Sequence, residues 1–159
     1  MATVAPVRQV ADDPLRLREL LGRATGVAYA HRLPCVVVGL AAREGDLLFP
    51  EIVDFLASAL RMDDAILRLT RERVVLMLTD VDRGGAEQIV QRILADFCER
   101  FATIDEPRLR LGYFEVHPGT PHLTVKQVLP AVFCPEAATE RDERACTELE
   151  DEEEAAGEA

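Results

Sequence analysis

One serine, Ser58, occurs among the 159 residues, and no apolar run approaches the ~20 residues that a bilayer-spanning helix needs. The first shortage argues against a hydroxyl-nucleophile enzyme, and no Ser-His-Asp order or paired-carboxylate pattern stands out. The second leaves no candidate transmembrane helix. The opening residues, MATVAPVRQVADDP, lack the long apolar stretch of a signal peptide. Cysteine is scarce and unpatterned: 4 in 159 residues make no disulfide scaffold. Together these point to a reducing cytoplasm. A basic surplus is missing too. The formal net charge is −11, and Glu136 to Ala159 alone hold 11 acidic and 2 basic residues, a net of −9. The preceding 135 residues are nearly neutral, at 18 acidic against 16 basic. Such a body is a poor candidate for binding phosphates, which needs a basic face, so neither a nucleic acid nor an anionic membrane is expected as partner.

What is present suits one globular domain: 48% hydrophobic and 30% charged residues can bury a proper core. Leu17, Leu20, Leu21, Ala24, Val27 and Ala28 recur at helical steps over Asp13–His31, with Asp12 or Asp13 as cap and Pro14 at the first position. Pro34–Leu40 is a continuous, β-branched run, the pattern of a central strand covered on both faces. Leu48–Arg61 carries a second helical stripe. Ala65–Leu69 and Arg73–Thr79 are short strands separated by Thr70–Glu72, which predicts a hairpin. Asp82–Phe101 is the most regular helical pattern, Leu109–Val116 alternates as a strand, and Leu123–Phe133 is a short helix interrupted by Pro130. The order predicts a single α/β (α+β) sandwich, a mostly antiparallel sheet flanked by helices. Residues 1–12 have no period. From residue 136 onward the chain cannot bury enough surface to offset its ordering entropy, so a disordered, solubilising acidic tail is expected, or else a lure for a basic partner. The expected organisation is therefore a flexible 1–12, a domain over 13–135 and a tail over 136–159.

Three segments together resemble the GGDEF family, the diguanylate cyclases that make cyclic di-GMP. The first is Ala30–Val38, like the family's approach to its first strand. The second is Leu60-Arg-Met-Asp-Asp-Ala-Ile-Leu-Arg-Leu69 followed by Thr70-Arg-Glu-Arg-Val74 and Val75–Leu78, where the family has an Arg-x-x-Asp, five residues, its signature and an apolar strand. The third is Leu109-Arg-Leu-Gly112, at the place of the late strand. The resemblance covers roughly Asp13 to Phe133, and the middle segment matches without a gap.

The departures from the family are as informative as the match. Thr70 and Arg71 replace the two glycines that let backbone approach nucleotide. Glu72 and Arg73 replace the acidic pair, so one carboxylate becomes a cation. The metal-binding aspartates of the first strand would fall near Gly39 and Ala41, which ligate nothing. The loop that holds guanine is shortened to Ala42-Arg-Glu44, and the opening motif survives only as Asp13-Pro-Leu15. The carboxylates that phosphoryl transfer needs around two Mg²⁺ ions are missing. The resemblance thus implies a degenerate, catalytically inactive member with no cofactor or bound metal, and Thr70, Arg71, Glu72, Arg73 and Val74 as the remnant of its signature.

Arg61 and Asp64 fall where many cyclases have their inhibitory product site. A guanidinium fork can bond the Hoogsteen edge of guanine, and a carboxylate can accept from N1 and the exocyclic amine. In the family a second arginine completes the site. Arg68 is taken for it here, with Arg71 and Arg92 as open alternatives. The plainer reading is that Arg61 offsets a helix dipole and pairs with Asp63 or Asp64 on the surface; Arg43 to Asp46 also satisfies the motif.

Other candidates read as structural. His31 ends a helix, and His117 and His122 flank Pro118-Gly119 without ligand spacing. Cys35, Cys98 and Cys134 sit in apolar surroundings and read as core thiols, while the acidic neighbours of Cys146 dull it as a nucleophile. Gly84-Gly85 reads as a turn at a helix start. Two functions are carried forward: a signalling module that acts by docking an unidentified protein partner, with Phe114, Val128, Leu129 and Phe133 as either docking patch or core, and a cyclic di-GMP receptor.

Overall fold

The computed structural model describes residues 14–102, 107–119 and 122–134. The expectations for residues 1–12, the caps Asp12 and Asp13, Cys146 and the tail lie outside them. The elements run α1 (Pro14–His31), β1 (Cys35–Ala41), α2 (Phe49–Ala59), β2 (Ala65–Arg68), β3 (Arg73–Thr79), α3 (Arg83–Arg100), β4 (Arg110–Val116) and α4 (Val125–Phe133). The four strands form one sheet in the order β2-β3-β1-β4, with every neighbouring pair antiparallel. From β1 to β4 this is the split βαβ arrangement, in which β3 inserts between β1 and β2. The expected α+β sandwich is therefore present, and its sheet is antiparallel throughout.

Both sheet faces are covered, which explains the unbroken apolar run of β1. Val36, Val38 and Leu40 point to one face, where they pack with Ile52 and Leu56 of α2 and Val90 and Phe97 of α3. Cys35 and Val37 point to the other, against Leu21 and Ala28 of α1 and Val128 and Val132 of α4. Period-two alternation sends successive side chains into two separate cores, so no position on β1 can be polar.

α4 lies closest to the sheet. Gly39 and Gly112 are register partners on β1 and β4. A Cβ on Gly39 would come within 2.8 Å of the Val132 side chain, and a Cβ on Gly112 would land on the Val132 carbonyl. The glycine pair is the seat that lets α4 backbone rest on strand backbone. The expected interruption at Pro130 is corrected: α4 runs straight through it. Pro130 removes one hydrogen bond, to the carbonyl of Lys126, an exposed residue where water can replace it. The capping box of Thr124 and Gln127 holds the helix start, and the glycine seat holds its end.

Asp82 caps α3 by accepting from the Gly85 amide at 2.7 Å, so a carboxylate of the chain itself fills the Gly84-Gly85 helix start. The four candidate docking residues belong to the core: Val128 is buried, and Phe114, Leu129 and Phe133 pack against the α1/α4 cluster. The cysteine expectation holds for Cys35 alone. Cys98 is half-buried and Cys134 is exposed, because α4 ends at Phe133 and turns Cys134 out of the core. No helix among the described residues is long and apolar enough to cross a membrane.

Candidate functional site

The Arg61-x-x-Asp64 segment joins α2 to β2. Leu60 caps α2 in an extended conformation, its amide donating to the Leu56 carbonyl, and the next four residues form a tight turn. The Asp64 amide donates to the Arg61 carbonyl at 3.1 Å. The Asp64 carboxylate answers twice: one oxygen accepts from the Arg61 amide at 3.2 Å, the other from the Thr79 amide at 3.0 Å. The Thr79 hydroxyl donates to the Asp63 carbonyl at 3.1 Å. Asp64 therefore stitches the turn to the last residue of β3 and holds the corner in one shape.

Arg61 projects from this fixed corner. Its side chain is exposed, and its guanidinium has no partner among the described residues. The surface pairing with Asp63 or Asp64 is thus not formed; Asp64 meets the Arg61 backbone instead. Met62 beside it is wholly exposed, at 102%. An unpaired guanidinium fork, a bare thioether and a half-buried carboxylate that keeps free lone pairs are thus side by side. That set can bond the edge of a planar, hydrogen-bonding ring and cover part of its face.

Of the candidate second arginines, Arg68 stands at the far end of β2, where Asp54 of α2 holds its guanidinium. Arg71 is at the hairpin tip, beyond Arg68, and Arg92 is exposed on α3. The structure brings Arg61 and Asp64 together and engages Arg68 elsewhere. The role of Asp64 as a bridge to Thr79 is the feature the sequence reading missed.

The hairpin lies at the other end of the sheet, roughly 13 Å away along β2 at 3.3 Å per residue. Its tip closes without glycine: the Leu69 and Thr70 amides both donate to the Arg73 carbonyl, and the Glu72 amide to the Thr70 hydroxyl. Among the described residues only Arg32, Asp80 and Gly45 have positive φ, so Thr70 and Arg71 sit unstrained in the tip. The Glu72 carbonyl accepts from the Ala42 amide at 2.9 Å, which extends the β1–β3 ladder one step past Ala41. Gly39 lies beneath Val132, and Ala41 pairs with Arg73 on one side and Arg110 on the other. Gly39 is thus covered by a helix, and Ala41 is flanked by cations.

Cys35, near the Asp64 corner, is buried. Burial pushes its thiol up, and the backbone hydrogen bond at Asp80 only partly offsets this. His31, His117 and His122 are all exposed, and among the described residues no group of His, Cys, Asp or Glu side chains could hold a metal ion.

The architecture has solved counterparts. PelD from Pseudomonas aeruginosa superposes with a TM-score of 0.59 at 24% identity, over 77% of this chain and 46% of that one. PelD in complex with c-di-GMP gives 0.56 at 25% identity, over 69% and 42%. The GGDEF domain of DgcB from Caulobacter crescentus, also in complex with c-di-GMP, gives 0.62 at 12% identity, over 85% and 92%. The fold is GGDEF-like. The chain spans less than half the length of the PelD chains, whereas it matches nearly the whole DgcB domain. No family model and no curated protein sequence matches it. The GGDEF-like elements are β1 to β4 with α2 and α3 on one face and α1 and α4 on the other.

Proposed function

We propose that this GGDEF-like protein is a catalytically silent regulatory module that binds cyclic di-GMP through Arg61 and Asp64. The observation that carries the ligand is the fixed corner: Asp64 spends one lone pair of each oxygen on backbone, and the exposed Arg61 guanidinium beside it has no partner among the described residues. An arginine with no internal partner keeps its five donors for a ligand, and the guanine O6/N7 edge matches its fork. PelD and the DgcB domain, both solved with c-di-GMP, support the same ligand for this fold.

Catalytic silence rests on chemistry at the hairpin end. Phosphoryl transfer from GTP needs carboxylates around divalent cations. Gly39, Ala41 and Arg73 offer none, and Arg110 adds a second positive charge to that row. The bound state then acts by changing a contact with a protein partner.

Calorimetric titration of the full chain with cyclic di-GMP tests the reading. Micromolar or tighter binding is expected, with Arg61→Ala weakening it at least tenfold and leaving the ligand-free melting temperature unchanged. Equal binding by the variant would place the site elsewhere, and no heat at high ligand would end the nucleotide reading. Incubation with GTP and Mg²⁺ is expected to release no pyrophosphate; release would overturn the inactive assignment.

A further inference from the structure

We infer that the open edge of β4 is a self-association surface, on which a second copy of this chain adds its own β4 antiparallel about a two-fold axis at Tyr113. The hydrogen-bond parity of the sheet fixes which groups are free. The Ala42 amide donates to the Glu72 carbonyl, so alternate residues from Ala42 back through Leu40, Val38 and Val36 bond to β3. Cys35, Val37, Gly39 and Ala41 therefore bond to β4, where their partners are Val116, Phe114, Gly112 and Arg110. Leu111, Tyr113 and Glu115 turn their amides and carbonyls outward. Among the described residues none of these groups has a hydrogen-bond partner.

The two edges of the sheet differ. β2 is only 4 residues long, the short kind of edge that resists further pairing. β4 runs 7 residues in unbroken register with β1 and carries no proline, no lysine and no bulge. Its flank is unfinished as well. In α4 only Val128 and Val132 are buried, while Val125, Leu129, Pro130, Ala131 and Phe133 are half-buried. A helix that is apolar on most of its sides calls for more cover than α1 and the sheet give it.

A second copy fits this edge. With the axis at Tyr113, the outward groups of Tyr113 meet those of the partner's Tyr113, and Leu111 meets the partner's Glu115. Gly112 stands opposite the partner's Phe114 and Arg110 opposite the partner's Val116, so no like charges face each other. The charges beside the axis are self-complementary. The Arg83 guanidinium lies over the Tyr113 ring at 5.9 Å from the centroid, and it is bonded to Glu87 at 3.1 Å. The axis brings the partner's Glu87 to Arg83, and the reverse. The spacing fits too. α4 crosses between β1 and β4 at Val132, over Gly39 and Gly112. With strands about 4.8 Å apart, the two α4 helices pass there at about 10 Å, a normal helix-packing distance. The product is closed, one continuous antiparallel sheet with four strands from each copy. β2 and the Arg61 corner are at the other edge, so self-association and nucleotide binding are separate.

Sedimentation velocity and amide exchange on the full chain test this across micromolar to millimolar protein. A monomer–dimer equilibrium is expected. As dimer forms, the Leu111, Tyr113 and Glu115 amides are expected to exchange at least tenfold more slowly, while those of Gly112 and Phe114, bonded to β1 in either state, keep their rates. Glu87→Arg is expected to weaken the dimer at least tenfold, and the exchanged pair Arg83→Glu with Glu87→Arg to restore it. Glu115→Pro removes an outward donor and no bond to β1, so it should weaken the dimer as well. Should that variant fail to fold, the charge exchange on the exposed start of α3 carries the test. A chain that stays monomeric throughout would overturn the proposal. So would a dimer indifferent to Glu87→Arg with its outward β4 amides unprotected, which would place the contact on another face, and so would open-ended oligomers.

Discussion

At Asp64 two roles meet in one side chain. Its carboxylate takes the Arg61 and Thr79 amides, while Arg61 gives only its backbone to the fold. The two residues of the motif should therefore respond oppositely to substitution. Asp64→Ala leaves two amides without their acceptor and is expected to destabilise the fold by about 1–3 kcal/mol, read as a lower urea midpoint at unchanged m-value. Arg61→Ala is expected to shift that midpoint by less than about 0.5 kcal/mol, as for an unengaged surface residue. Equal effects at the two positions would mean that the corner is not held by the Asp64 carboxylate. The bridge was within reach of the sequence. Counting back from the hairpin through Arg68↔Val74 and Ala65↔Met77 puts Asp64 beside the end of β3, where ladder pairing runs out and amides need acceptors. What the sequence did not carry was that one carboxylate takes both the Arg61 and the Thr79 amide, because turn geometry decides it. The engagement of Arg68 by Asp54 was hidden for a related reason: it depends on how α2 crosses β2, which no local pattern encodes.

The elements themselves were legible because each has a strong period or a sharp boundary. The double-sided core makes β1 continuous, the hairpin needs only Thr70–Glu72, and Asp82 announces α3 as its cap. α4 was the exception. Pro130 reads locally as a breaker, yet tertiary packing holds nine helical residues together across it. The packing depends on glycines that lie elsewhere in sequence, Gly39 and Gly112, whose meaning appears only when β1 and β4 pair. A methyl group at Gly112 would have to displace α4 backbone. Gly112→Ala is expected to cost about 1–3 kcal/mol, the usual range for overpacking, seen as a lower melting temperature and faster amide exchange along Val125–Phe133. Gly39→Ala meets a side chain as well as backbone and should cost a similar amount. Gly22→Ala in α1, with nothing within 4 Å of its Cβ position, is expected to be neutral or slightly stabilising. A Gly112→Ala protein as stable as its parent would show that α4 is not seated on the glycine pair.

Across the whole molecule, charge and burial are segregated. None of the buried side chains among the described residues is polar or charged, and the acidity is concentrated in residues that follow the domain. The Arg61 corner and the hairpin lie at opposite ends of the sheet. The same segregation predicts an alkaline limit to stability. Burial raises the Cys35 thiol, and burial with the nearby Glu87 carboxylate raises the Tyr113 hydroxyl, which the Arg83 guanidinium only partly counters. Both groups hold their protons more tightly folded than unfolded. Their contribution is complete below the ordinary thiol and phenol range, about 8.5 to 10, and is lost as pH climbs through the raised folded values. The melting temperature is therefore expected to fall between pH 8 and pH 10.5, by more than the scatter between replicate scans. Cys35→Ala should flatten the earlier part of that fall and Tyr113→Phe the later part, with each variant compared against its own value at pH 8. A slope that neither substitution changes would show that Cys35 and Tyr113 do not carry the alkaline loss. Because Cys35 lies beside Thr79, its register partner, deprotonation there would loosen the strand end that Asp64 grips. Alkaline pH should thus weaken the Arg61 corner before the hairpin end, visible as earlier amide exchange at Thr79 than at Arg73.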